Sequence, residues 1–238
     1  MGKFALFFIW MQHLPPIIFE QSMLQQATPA MMDRLWAMGW RHFGEEFFRY
    51  SISFDEAGQK TIQPLRIDLS KFFPSKSQRR VLRKNEDLEV KFVPASLHDS
   101  VCEMFQRHKQ RFDSNIPDHL SNFLGDHPGQ LIPCHECQVW LKDEFIAASF
   151  LESSHTAGSS VYGLFEPAHS TRSLGIFTML SEMQWALDHG LRYYYSGYAT
   201  REPSHYDYKK NFAGLEIYDW AEEQWVAYEE TPGDQGNL

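Results

Sequence analysis

The chain has little cysteine, no long apolar run and no excess of positive charge. Its three cysteines, Cys102, Cys134 and Cys137, are too few and too odd in number for a disulfide framework. That usage fits a reducing compartment. Near the start, the longest apolar run is the eight residues from Phe4 to Met11, where a membrane-spanning helix needs about 20. Gln12-His13-Leu14-Pro15-Pro16 follows in place of the small residues of a signal-peptide cleavage site. The run is expected to be an edge or core strand, and the protein to be cytoplasmic. With 22 Lys and Arg against 31 Asp and Glu, the net charge is −9, which excludes a surface coated uniformly for nucleic acid. Internal repeats and low-complexity tracts are also absent, which excludes solenoids and arrays.

What is present is ordinary globular composition: 43% hydrophobic, 15% aromatic and 22% charged residues over 238 positions. At about 150 residues per domain this is one to two domains, and such a chain buries roughly 70–75% of its unfolded surface.

Thr28-Pro29 reads as a helix start, with Met31, Met32, Leu35, Trp36 and Met38 on an apolar face and Gly39 as the stop. Alternation over Trp40–Tyr50 and Thr61–Leu69, around a turn at Glu56-Ala57-Gly58, predicts a pair of hairpin strands. A basic helix after Pro74 and a strand over Leu88–Val93 follow, and Pro94-Ala95-Ser96 is the expected boundary between residues 1–94 and 95–238. Next come a helix through Leu97, Val101, Met104, Phe105 and His108, a loop over Gly125–Pro133, and strands at Gln138–Lys142, Phe145–Glu152 and Ser159–Phe165. A long helix over Arg172–His189 leads to a nearly all-apolar strand at Leu191–Tyr195, as buried sheet centres require. A helix over Ser204–Phe212, strands at Leu215–Trp220 and Trp225–Tyr228 and an acidic tail close the chain. Together these predict an α+β fold, a mixed sheet with helices on its faces.

Four segments bear on chemistry. Lys71–Lys84, KFFPSKSQRRVLRK, holds six of the 22 basic residues and no acidic one. On a helix, Lys76, Arg79, Arg80 and Arg83 share a face. Ser77, Gln78 and the helix N-terminus would add donors for a phosphate backbone. The alternative is a solvated face answered by Glu86, Asp87 and Glu89. Cys134-His135-Glu136-Cys137 has a metal-like spacing but lacks a second pair, so packed thiols compete with a metal or redox role. Arg172-Ser173-Leu174-Gly175-Ile176-Phe177 opens a helix after a strand, in the manner of a coenzyme A pyrophosphate loop, but Phe177 stands where a small residue is needed. The run Arg192 to Tyr198 and then Tyr206-Asp207-Tyr208-Lys209 reads either as a polar-lined aromatic pocket or as a packed aromatic core with hydroxyls at its rim.

These segments together resemble one family, the arginyl-tRNA–protein transferases and their bacterial leucyl relatives acting on acidic N-termini. The matching stretches are MGWRHFGEEFFR (38–49), PLRIDLSKFFPSKSQRRVLRKNEDLEV (64–90), SSVYGLFEP (159–167), SLGIFTMLSEMQWALDHGLRYYYSGY (173–198) and YKKNFAGLEI (208–217). The resemblance implies a GNAT-like acyltransferase fold. It also implies transfer of an amino acid, arginine or leucine, from charged tRNA to the N-terminal amine of acceptor proteins, as in N-degron pathways. By the same resemblance Lys76, Ser77, Gln78, Arg79, Arg80 and Arg83 contact tRNA, and Tyr198, Tyr208 and Lys209 are catalytic. Ser160, Tyr162, Ser196, Gly197 and His205 then line the substrate pocket. Family members carry an N-terminal cysteine cluster linked to metal, iron–sulfur or haem. This chain has SISFDEAGQKTIQ there, so no resident metal or cofactor is expected beyond aminoacyl-tRNA as co-substrate. The family's Lys-Met before x-Tyr-Lys is His205-Tyr206 here. Two rivals stand beside this reading: an acyl-CoA-dependent N-acyltransferase on the same fold, and a non-catalytic tRNA- or N-degron-binding homologue.

Overall fold

The computed structural model describes residues 16–55, 58–112, 117–204 and 206–229. The apolar run at Phe4–Met11, His205 and the tail beyond Glu229 lie outside them. Strand β1 (Phe19–Met23) precedes helix α1 (Pro29–Ala37). Thr28 Oγ1 accepts the Met31 N–H at 3.2 Å, Pro29 occupies the first turn, and Gly39 ends the helix at φ +78°, as capping chemistry requires. Met32 and Trp36, four apart, are its buried residues.

Strands β2 (Arg41–Phe43) and β3 (Glu46–Tyr50) follow, then β4 (Ile52–Asp55) and β5 (Gly58–Asp68). Here the structure corrects the sequence expectation. Trp40–Tyr50 is not one arm of a hairpin with 61–69; it folds on itself, and β1-β3-β2 make a separate three-stranded sheet. The turn is Gly44, at φ +54°, where a Cβ would lie 3.0 Å from Gly125 Cα. The short β4 is the true hairpin partner of β5.

Helix α2 (Lys76–Lys84), strand β6 (Glu89–Pro94), helices α3 (Asp99–His108) and α4 (Ser121–Leu124), and strands β7 (Cys134–Leu141), β8 (Glu144–Ser153) and β9 (Ala157–Phe165) come next. After them run α5 (Leu174–Asp188), β10 (Tyr193–Thr200), β11 (Leu215–Asp219) and β12 (Gln224–Ala227). The main sheet has the order β12-β11-β5-β10-β9-β8-β7-β6, with β4 beside β5. It draws strands from both sides of residues 94–95, since β5 lies between β10 and β11. Strands β6 to β9 are antiparallel neighbours, and α5 carries the chain from β9 to β10, which pair in parallel. This is the mixed α+β sheet expected from the sequence, with antiparallel strands β6 to β9 and a helical crossover into the parallel pair.

Alternation along the strands sorts the core into two layers. Tyr194 joins Met179, Leu180, Met183 and Ala186 of α5 on one face, with Leu82 of α2 packed against them. Tyr195 joins Met32 and Trp36 of α1 on the other face, where α3 also packs against Ala148 and Phe150. The helix expected over Ser204–Phe212 is only a 3-10 turn, Asp207–Lys210. The Asp207 carboxylate accepts the Ser204 N–H at 2.9 Å, a capping-box type of bond that opens the turn. Among the described residues no helix is long and apolar enough to cross a membrane.

Candidate active site

Strands β9 and β10 pair over only three positions, Tyr193↔Ala157, Tyr194↔Gly158 and Tyr195↔Ser159. Beyond them β10 bulges at Ser196–Gly197 and continues against β5. On the other side β9 shifts register against β8 between Ser160 and Tyr162. Two bulges side by side splay the strands, and polar side chains fill the opening.

Arg41 enters from β2. It is 8% exposed and donates Nη1–H to Ser159 Oγ at 2.7 Å and Nη2–H to the Ser160 carbonyl at 2.6 Å. Lys209 enters from the 3-10 turn. Gly197 makes room for both: it sits at φ +99°, and a Cβ there would lie 3.3 Å from Lys209 Nζ and 3.7 Å from Arg41 Nη2. Burial, then the neighbouring Arg41 charge, pushes the Lys209 ammonium down to about 7. No carboxylate lies within ion-pair distance of Lys209 among the described residues.

Beneath the split lies Glu182 of α5, fully buried, whose Oε2 accepts the Tyr194 hydroxyl at 2.5 Å. Burial pushes this carboxyl up to about 7, against the pull of the Ser149, Tyr194 and Ser160 hydroxyls and of Arg41. A carboxyl whose folded pKa exceeds its unfolded value stabilises fully below the unfolded value, and that stability is lost as pH rises through about 7. Between pH 5 and 7 the wild type is therefore expected to lose about 2 kcal/mol through this group. Glu182→Gln should flatten that slope in denaturant unfolding. Equal slopes in the two proteins would show that Glu182 does not titrate there.

The other expected pocket residues are distributed around this core. Ser160 contributes its carbonyl to Arg41. Ser196 is buried in the bulge. Tyr162 stacks on Phe123 with centroids 4.2 Å apart, and burial lifts its phenol to about 12. Tyr198 differs from expectation: its hydroxyl donates to the Gly39 carbonyl at 2.6 Å, and its ring meets Tyr50 edge-on at 5.3 Å. It braces the N-terminal sheet against β10 instead of presenting a free hydroxyl. Tyr208 is 37% exposed, and Glu182 is among the charges that raise its phenol, after burial.

Helix α2 carries a full capping box: Ser75 Oγ accepts the Gln78 N–H at 3.3 Å while Gln78 Oε1 accepts the Ser75 N–H at 2.8 Å. Gln78 is therefore corrected from a phosphate contact to a structural residue. It is 4% exposed, and its amide also donates to the Asn211 carbonyl. Lys76, Ser77, Arg79, Arg80 and Arg83 are exposed. Two of the three acids that would answer a solvated face are engaged elsewhere, Asp87 with Arg172 and Glu89 with Lys91. Lys76, Arg79, Arg80 and Arg83 make no ion pair among the described residues. A groove of about 740 Å³ runs from the start of α2, past Ser75 and Ser77, to Tyr208 and Lys210.

Cys134 and Cys137 lie three apart on β7, so their side chains enter opposite faces of the sheet, one among Val101 and Phe150, the other among Val139 and Phe177. Burial raises both thiols well above their usual range. Arg172 holds Asp87 through two bonds of 2.9 Å, and Phe177 is buried, so neither is arranged around a pyrophosphate.

Sequence reasoning did not single out Arg41 or Glu182. Arg41 lies in a matching stretch more than a hundred positions from its partners. Glu182 left a signal, a lone carboxylate between Leu180 and Met183 on a buried helix face.

Residues 99–219, half of the chain, match the family model described as arginine-tRNA-protein transferase, C terminus. An aspartate/glutamate leucyltransferase of Stenotrophomonas maltophilia (strain R551-3) is 30% identical over 167 residues, 65% of this chain and 65% of that protein. One from Xylella fastidiosa (strain M23) is 30% identical over 165 residues, 66% of this chain and 65% of that protein. The chain thus matches just under two thirds of the length of these relatives. Among solved structures, FemX is similar at a TM-score of 0.49 and 11% identity, covering 90% of this chain and 75% of that one. On the match to its family model, the chain belongs to the arginine-tRNA–protein transferase family.

Proposed function

We propose that the protein transfers an amino acid from charged tRNA to the N-terminal α-amine of acceptor proteins that begin with Asp or Glu. One observation carries this reading: consecutive residues of the 207–210 turn face two different openings. Tyr208 lines the groove that borders the start of α2 at Ser75, Ser77 and Gln78, and Lys209 reaches into the split between β9 and β10. A donor nucleic acid and an amine acceptor would meet at this turn.

The exposed cations of α2 supply the phosphate contacts. Phe73, 67% exposed just ahead of α2, offers a ring on which an unpaired base stacks. In the reaction the amine nitrogen attacks the ester carbonyl. The new C–N bond forms, the C–O bond to the terminal ribose breaks, and the proton lost by nitrogen ends on the ribose oxygen. The ester is already activated, and an α-amine of pKa about 8 is partly neutral at pH 7, so positioning supplies much of the barrier lowering. Tyr208 is placed to hold the terminal adenosine or the ester, and Tyr198 to hold the N-terminal sheet, with Arg41, against the cleft. This chemistry asks for no resident metal.

The test is transfer of labelled leucine or arginine from each charged tRNA to peptides beginning with Asp, Glu or Ala, with and without chelator. The expected result is chelator-resistant labelling of the Asp and Glu peptides. Labelling that needs an acyl-CoA donor, or tRNA binding without any transfer, would refute it.

A further inference from the structure

We infer that Arg41 and Lys209 together form a carboxylate receptor that reads the acidic side chain of the acceptor's first residue, an inference that rests on the transfer reading above. Both direct contacts of the Arg41 guanidinium are to neutral oxygens, Ser159 Oγ and the Ser160 carbonyl. Lys209 Nζ has an aromatic ring, that of Tyr206 at 5.1 Å, and no carboxylate partner among the described residues. The two carboxylates whose fields reach Arg41 each have a partner of their own. Glu152 Oε2 lies 2.8 Å from His42 Nε2, and Glu182 accepts from Tyr194.

Two cations thus flank the backbone of Gly197 with no contacting anion between them. Like charges placed together in a poorly solvated site repel, and an entering carboxylate relieves both at once. A guanidinium fork beside a compact ammonium suits the planar carboxylate. The bulge and the glycine keep the space open, because any Cβ at position 197 would fill it. A phosphodiester is the poorer occupant. The exposed cations that suit a polynucleotide lie on α2, and neither Arg41 nor Lys209 lines the groove beside that helix.

The experiment measures binding, apart from turnover. The whole protein is titrated calorimetrically with Asp-Ala-Ala and Asn-Ala-Ala, which differ by one charge, at low ionic strength. The expected result is a preference for the Asp peptide of about tenfold or more. It should collapse toward parity in Lys209→Met and return in Lys209→Arg, with melting curves showing that each variant is folded. Equal or undetectable binding of the two peptides by the wild type would overturn the inference. So would a preference that survives Lys209→Met. If Lys209→Met weakens tRNA binding while the peptides bind alike, the pair serves the last phosphodiester of the tRNA and the receptor is refuted. Selective binding of the Asp peptide by a protein that transfers nothing to it would uphold the receptor and refute the transfer reading.

Discussion

Replacing Lys209 by alanine is expected to cut transfer to an Asp peptide on the order of 10²-fold, about 2.7 kcal/mol, while far-UV dichroism and melting change little. The two halves of this expectation have one cause. A lysine that stabilised the fold by pairing with a carboxylate would have its pKa raised; burial and Arg41 instead push Lys209 down to about 7. The folded state therefore bears a cost for the charge, and removing it takes no stabilising ion pair away. What is lost is the cation at the mouth of the split, where Gly197 brings the backbone up to Lys209 Nζ. The measurement is kcat/KM beside a thermal melt on the same preparation. A variant that melts early but keeps its turnover per folded molecule would return Lys209 to a structural role and weaken the case for Tyr208 beside it.

The second large effect belongs to α2. Changing Arg79 and Arg80 together to alanine is expected to weaken tRNA binding by roughly 1–3 kcal/mol and to lower the log–log salt slope by about one to two. Both side chains are exposed, and the helix is secured by its capping box and by Gln78 on the Asn211 carbonyl, none of which the double variant touches. The fold should survive. Affinity and slope measured between low and moderate salt decide the matter: unchanged values in a folded double variant would make this face a solvated one after all.

Helix α2 was legible because everything that makes it is local. Ser75 and Gln78 stand three apart, the cations recur at helical spacing, and Pro74 supplies the entry. Strands β7, β8 and β9 were legible for the same reason, since alternation reports a half-buried strand whatever it pairs with. The same locality explains the failures. Trp40–Tyr50 alternates correctly, but alternation does not name a partner, and Gly44 turned the segment back on itself. At Ser204–Phe212 the helical reading over nine residues met only a 3-10 turn at Asp207–Lys210. Gln78 looked like a phosphate donor on its charged helix until the cap used its side chain.

By itself the sequence determined the fold class, the cationic face of α2, and the buried start of β10 through Tyr195. Each of these depends on residues within a turn or two of one another. Only the tertiary structure decided that Arg41 faces Lys209, that Glu182 lies beneath them, and that the hydroxyl of Tyr198 is occupied by Gly39. Those outcomes depend on where two bulges fall in a mixed sheet and on a small sheet docking across its face. A bulge displaces side chains from the alternation that sequence patterns report, so no pattern along the chain encodes which distant cation will stand beside it.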